Sequence, residues 1–201
     1  MADTEGIEVI DCTRCPELVE SRSQIVNGTG AADARLVFVG EAPGADEDRE
    51  GEPFVGRSGE VLDEKLGERE LDRESVRITN CVRCRPPENR DPKGEELANC
   101  REFLEHEIRE IDPDLIVTLG KVPSEHLLDR SVAVTKEAGQ VVETRIGDAS
   151  YRLLICVHPA ATFYDGSQTE TLDEALDTAA ELVGLDPGEG GGSGQSRLGE
   201  Y

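Results

Sequence analysis

Residues 40–63 read GEAPGADEDREGEPFVGRSGEVLD, and what brackets them decides the architecture. Before them stands the apolar run Leu36-Val37-Phe38-Val39, and at their end a helical pattern of Val61, Leu62 and Leu66 begins. A run apolar at every position predicts a strand buried on both faces. Between strand and helix, Gly40, Gly44, Gly51, Gly56 and Gly59 mark a long glycine-rich loop, and such loops in compact domains are usually functional. The acidic residues of the loop suit a solvated surface, but its interior Pro53-Phe54-Val55 does not. We read the stretch as the wall of a pocket for a small planar group, with Phe54 as one face.

The same strand-then-helix grammar repeats outward. Further strands are expected at 76–82, at 114–119 ending on Gly120, and at 153–157 ending on His158-Pro159. A helix over 94–111 places Leu97, Cys100 or Arg101, Leu104, Ile108 and Ile111 on one stripe, and 171–183 forms a last amphipathic helix. The prolines of 84–92 exclude helix and central strand, and 131–151 reads as an irregular excursion or hairpin. Apolar strands alternating with helices predict an α/β fold: a three-layer α/β/α sandwich around a central four-stranded, mainly parallel sheet, in one domain over 1–185. Ligands of such sheets bind beyond the carboxyl ends of the strands. Glu41, Asn80, Gly120-Lys121 and His158 all follow strand ends. Residues 186–201 open with the composition of a flexible linker.

The formal net charge is −23, acid is dispersed along the chain, and Lys65, Lys93, Lys121 and Lys136 are the only lysines. Alone, that charge argues against a nucleic-acid partner, whose phosphates need cations. In molar salt, however, repulsion is screened within roughly 3 Å. Dispersed acid with scarce lysine resembles the proteins of salt-accumulating halophiles, so charge reports the solvent more than the ligand. No apolar run reaches membrane-spanning length, and the polar start is no signal peptide. A cytoplasmic monomer is expected.

Cys12, Cys15, Cys81, Cys84, Cys100 and Cys156 point to a metal or to catalysis before disulfides in an intracellular chain. Thiolates serve zinc and iron–sulfur clusters alike, and the spacing does not separate the two. Cys81 and Cys156 lie in or beside apolar strands and read as core residues, although Cys81 competes with Cys84 as a ligand.

Taken together, Gly40-Glu41-Ala42-Pro43-Gly44, Glu47-Asp48, Gly51-x-Pro53-Phe54-Val55-Gly56, Thr79-Asn80, Cys84-Arg85-Pro86-Pro87-x-Asn89-Arg90 and His158-Pro159-Ala160-Ala161 resemble the family 4 uracil-DNA glycosylases, the iron–sulfur members of their superfamily. The resemblance implies uracil-containing DNA as substrate. It also implies a [4Fe–4S] cluster on Cys12, Cys15, Cys84 and Cys100, of structural role. It places the hydrolytic water near Glu41 and Ala42, and Glu47 where a thymine methyl would enter.

The chemistry of the residues agrees. A flipped base needs a stacking face and a polar group that reads its edge. Phe54 supplies the first. The Asn80 amide can donate to uracil O4 and accept from N3–H, a pattern that cytosine inverts, leaving buried polar groups unpaired. His158 can donate to O2 as negative charge develops on the leaving base. Read alone, Asn80 would be a strand-end turn residue and His158 a cap before proline. His106 and His126 lie in helical patterns and read as such ordinary cases. No lysine stands out as a Schiff-base nucleophile, so a monofunctional glycosylase is expected. The alternative is a non-catalytic iron–sulfur or zinc module for single-stranded nucleic acid.

Arg85, Arg90, Ala160 and Phe163 are the expected DNA contacts. In the family the segment after His158 wedges into the duplex, commonly with leucine and arginine; here it carries Phe163-Tyr164, an aromatic wedge suited to salt that weakens phosphate contacts. At the C-terminus, Gln195, Leu198 and Tyr201 are similar to the peptide by which repair proteins bind a sliding clamp.

Overall fold

The computed structural model describes residues 2–184, so the linker and the clamp-like residues Gln195, Leu198 and Tyr201 lie outside the described residues. In chain order the first half holds β1 (Ala2–Glu5), β2 (Glu8–Cys12), α1 (Pro16–Ser21), β3 (Thr29–Gly30), β4 (Leu36–Gly40), α2 (Ala45–Glu50), α3 (Arg57–Gly67) and β5 (Arg77–Asn80). The second half holds α4 (Gly94–Ile111), β6 (Leu115–Leu119), α5 (Lys121–Leu128), α6 (Val134–Glu137), β7 (Val141–Ile146), β8 (Ala149–Cys156) and α7 (Ser167–Leu182). Two 3₁₀ turns, Pro87–Asn89 and Pro159–Phe163, follow β5 and β8.

The sheet order is β3-β5-β4-β6-β8-β7. β5, β4, β6 and β8 run parallel, whereas β3 and β7 add antiparallel edges. The expected four strands are therefore the parallel centre of a six-stranded mixed sheet. The edge strands left little signal: β3 is two residues long within a turn sequence, and β7 is a half-exposed strand that returns into β8 through Gly147. The loop after β4 is also more ordered than its composition suggests, because α2 forms inside it.

Side chains alternate across β4. Leu36 and Phe38 pack with Leu62 and Leu66 of α3 and Leu172 and Leu176 of α7, while Val37 and Val39 pack with Leu104 and Ile108 of α4 and Leu127 of α5. Helices thus cover both faces, which makes the three layers, and each buried aliphatic contributes roughly 1.5–3 kcal/mol relative to exposure. β4 passes to β5 on one side and β6 takes the other, so the chain reverses its direction of travel at β4. A crevice beyond the strand ends is expected at such a point.

One polar network lies within the core. Glu107 on α4 is 0% exposed, accepts from Arg77 Nε at 2.8 Å, Thr79 Oγ1 at 2.8 Å and Arg83 Nη2 at 2.7 Å, and forms an ion pair with Arg77 Nη2 at 2.7 Å. Arg83 continues to Asn27 Oδ1 at 2.7 Å, which also accepts the Val9 amide at 2.9 Å. The alternation of polar residues over 77–83 therefore serves a buried carboxylate and not solvent. Leaving that carboxylate unpaired would be strongly destabilising.

Candidate active site and cysteine-lined cavity

The ends of β4, β5 and β8 converge on a cavity of about 190 Å³ lined by Glu41, Ala42, Glu47, Phe54, Asn80 and His158, together with Gly44 and Ser58. All six of the catalytic and base-binding residues expected from sequence are brought together. Lys121 is exposed and lies outside this lining, but Gly120 abuts His158: a Cβ there would stand 3.2 Å from the His158 Cβ.

Gly40 closes β4 in register with Asn80. A side chain at Gly40 would press on Asn80 Oδ1 and come within 2.5 Å of Phe54 Cε2, so only glycine lets ring and amide stand side by side. Phe54 adopts a left-handed backbone, φ 55°, unusual for an aromatic residue and a mark of functional positioning. Arg73 holds that turn by donating to the carbonyls of Pro53, at 2.9 Å, and Phe54. The Phe54 ring stacks on His158, with centroids 5.8 Å apart and planes at 29°.

Asn80 is 3% exposed, and its amide makes no side-chain hydrogen bond to another described residue. The amide opens onto the cavity and is free to pair with a ligand there. His158 Nδ1 accepts the Ala160 amide N–H at 3.1 Å. That bond leaves the proton of the neutral ring on Nε2. Burial lowers the His158 pKa, with Glu47 opposing in part, so the imidazole is a neutral donor.

Glu47 bridges the loop: Oε2 accepts the Gly44 amide at 3.0 Å and Oε1 the Gly56 amide at 3.1 Å. It therefore shapes the pocket wall as well as lining it. Glu41 is half-buried and makes no side-chain hydrogen bond to another described residue. Burial, and then the charge of Asp91, push its pKa up to about 7. A carboxyl poised near neutrality suits proton transfer.

A second cavity is lined by Cys12, Cys15, Cys84 and Cys100, with Leu18, Arg22 and Phe103 among their neighbours. The four cysteines come from β2, the N-cap of α1, the segment after β5, and α4. Cys81 packs with Val39 and Leu104, and Cys156 packs in the opposite core with Leu119 and Leu154, so Cys81 is not a competitor at this cavity. Arg22 Nη1 donates to Cys84 Sγ at 2.9 Å, and Asn99 Nδ2 to Cys15 Sγ at 3.5 Å. Burial raises the thiol pKa values of Cys15, Cys84 and, to about 12, Cys100. Among the described residues no three His, Cys, Asp or Glu side chains are grouped closely enough to hold one metal ion.

The expected DNA contacts are placed unequally. Arg90 is committed to Glu96, at 2.8 and 2.7 Å, and to Glu17 at 3.0 Å. Arg85 donates to Asn89 Oδ1 at 2.8 Å. Ala160 orients His158 through its backbone amide. Phe163 lies under the Arg57 guanidinium, 4.5 Å from the ring centre, whereas Tyr164 is 90% exposed. Sequence reasoning missed Ser58 in the lining, Arg22 against Cys84, and the buried lock of Asp48. It also passed over Glu107, although an acid beside Leu104, Ile108 and Ile111 on the inward stripe was a signal.

No helix among the described residues is long and apolar enough to cross a membrane. A family model described as the uracil DNA glycosylase superfamily matches residues 27–180. The chain is 36% identical to a type-4 uracil-DNA glycosylase of Archaeoglobus fulgidus, covering 88% of this chain and 90% of that protein. A type-4 uracil-DNA glycosylase of Sulfurisphaera tokodaii is 37% identical over 88% and 82%, and one of Thermotoga maritima 47% identical over 66% and 69%. With the match spanning the strand ends that build the pocket, the chain belongs to the uracil-DNA glycosylase superfamily and, within it, to the type-4 uracil-DNA glycosylases.

Proposed function

We propose that this protein is a monofunctional uracil-DNA glycosylase of base excision repair, which hydrolyses the N-glycosidic bond of a flipped deoxyuridine and leaves an abasic site. The observation that carries the reading is the unpartnered Asn80 amide sharing one cavity with the stacked Phe54–His158 pair. Uracil stacks on Phe54, and Asn80 donates to its O4 and accepts from N3–H. As the C1′–N1 bond breaks, its electron pair passes to the base, and His158 Nε2–H donates to O2. Donors aimed at developing charge in a dry site are typically worth a factor of about 10²–10³ in rate. Water adds to C1′ and its proton passes to Glu41. Glu47, beside Gly44 and Gly56, fills the space a thymine methyl would need.

The cysteine-lined cavity is proposed to hold a [4Fe–4S] cluster on Cys12, Cys15, Cys84 and Cys100. Four soft thiol donors on one cavity fit an iron–sulfur body, and the family resemblance favours the cluster over a single zinc ion. The cluster would supply structure, not a step in hydrolysis.

Arg85 and the Ala160–Tyr164 turn would face the nucleic acid. Tyr164 is exposed and available to stack, and Phe163 is held under Arg57. A cytoplasm of molar salt, a monomeric state and clamp docking through Gln195, Leu198 and Tyr201 complete the proposal. Release of uracil from a labelled oligonucleotide, measured in about 0.1 M and in molar salt, tests the whole. Cleavage that strengthens with salt and spares thymine and cytosine is expected, and binding without uracil release would overturn the enzymatic reading.

A further inference from the structure

The residues that follow α1 run from the cysteine-lined cavity, which Arg22 lines, to α2 in the loop that walls the pocket. Arg22 Nη1 donates to Cys84 Sγ at 2.9 Å and Nη2 to the Cys12 carbonyl at 2.8 Å. The next two amides turn to the pocket loop. Ser23 N–H donates to both oxygens of Asp48, at 2.8 and 2.9 Å, and Gln24 N–H stands 3.4 Å from Oδ1. Gln24 Nε2 then closes the end of α2 by donating to the Asp48 and Arg49 carbonyls at 2.9 and 3.0 Å.

Asp48 is 2% exposed and has no cationic partner among the described residues. Those amides are its hydrogen-bond donors, so it cannot part from residues 23–24 without leaving a buried carboxyl group unpaired. The residue before it, Glu47, binds the amides on both sides of the pocket loop. Ala42 makes a second link, because it lines the pocket and packs on the Leu18, Val82 and Cys84 cluster.

We propose that Arg22-Ser23-Gln24 is a strap that couples occupancy of the cysteine-lined cavity to the shape of the uracil pocket, with Asp48 as the positioning residue that receives it. The proposal rests on reading the cysteine cavity as an iron–sulfur site. Coupling between two sites is reciprocal: if a loaded cysteine cavity orders the pocket, a filled pocket must hold the loaded group more firmly by the same factor.

The test measures iron release from the full chain to a ferrous chelator, followed also as loss of visible absorbance. Release is compared with and without a saturating single-stranded oligonucleotide carrying one 2′-fluoro-2′-deoxyuridine, whose fluorine blocks cleavage. In the unaltered chain the oligonucleotide should slow release about fivefold or more, and in Asp48→Asn and Gln24→Ala by less than about twofold. A merely structural role would speed release equally with and without oligonucleotide, leaving the ratio intact, and that result overturns the coupling. So does an unaltered chain that binds the oligonucleotide with no change in release. If Asp48→Asn does not fold, Gln24→Ala decides, since that side chain is exposed. A chain that purifies without iron defeats the cluster reading and the coupling with it; iron present with unchanged protection in the variants defeats the coupling alone.

Discussion

The pocket at the strand ends takes its shape from backbone, whereas the cysteine-lined cavity takes its shape from side chains bridging separate segments. Asn80 stands where parallel β5 ends beside Gly40, His158 is turned by the Ala160 amide, and Glu47 is gripped by the Gly44 and Gly56 amides. Around the cysteines most bridges are ion pairs near the surface, Arg14 with Glu102, Arg90 with Glu17 and Lys93 with Glu17, while the Glu96 that also takes Arg90 is buried. Backbone hydrogen bonds inside a fold respond little to salt, while surface pairs contribute little and are screened. The difference teaches that the pocket is preorganised by the sheet. The cysteine lobe would gain its order from the cluster proposed for its four sulfurs.

The sharpest way to break this contrast is His158→Ala. Single-turnover uracil release should fall about 10²–10³-fold while the melting temperature stays near that of the unaltered chain, because the loss is of one aimed donor. An unchanged rate would show that O2 is served by another group. Next comes Cys84→Ser, which should abolish visible absorbance and iron content and lower the melting temperature by several degrees. Retained colour would remove Cys84 from the ligand set.

A smaller effect separates Glu41 from its neighbours. Its pKa is raised to about 7, and the proposed role needs the carboxylate, so the rate should be lost as pH falls through that value. Single-turnover rates should rise about tenfold between about pH 6 and about pH 8, and Glu41→Gln should be slow and flat across that range. A Gln variant that keeps the rate and the slope would take Glu41 out of the mechanism. The smallest change is expected from Lys93→Ala, which removes an exposed pair with Glu17. Thermal melts should show a slight loss in about 0.1 M salt and none in molar salt. A large loss independent of salt would mean that the surface bridges carry the cysteine lobe.

Much of this was readable from local pattern. The runs at 36–39, 114–119 and 153–157 announced buried strands because parallel strands covered on both faces read as near-continuous apolar stretches. Glu41, Phe54, Asn80 and His158 could be grouped because they follow strand ends, and in a parallel sheet those ends share one side of the molecule. The edge strands β3 and β7 were obscure because edge pairing asks little of side chains. Sequence left Asp48 open between a share in the site's chemistry and a solvated loop acid, because its burial depends on the distant amides of Ser23 and Gln24.

By itself, then, the amino-acid sequence determined the layered α/β class, the parallel centre of the sheet and the six catalytic and base-binding residues that the pocket brings together. These follow from periodicity, residue chemistry and family motifs, which are written locally along the chain. Only the tertiary structure decided that Arg90 is occupied by Glu96 and Glu17, that Glu107 gathers Arg77 and Arg83 in the core, that His158 carries its proton on Nε2, and that Arg22 reaches Cys84. Each of these is a long-range partnership or a backbone contact of an oriented ring. A charged or titratable side chain declares what it can bind, and the fold alone settles which partner it meets.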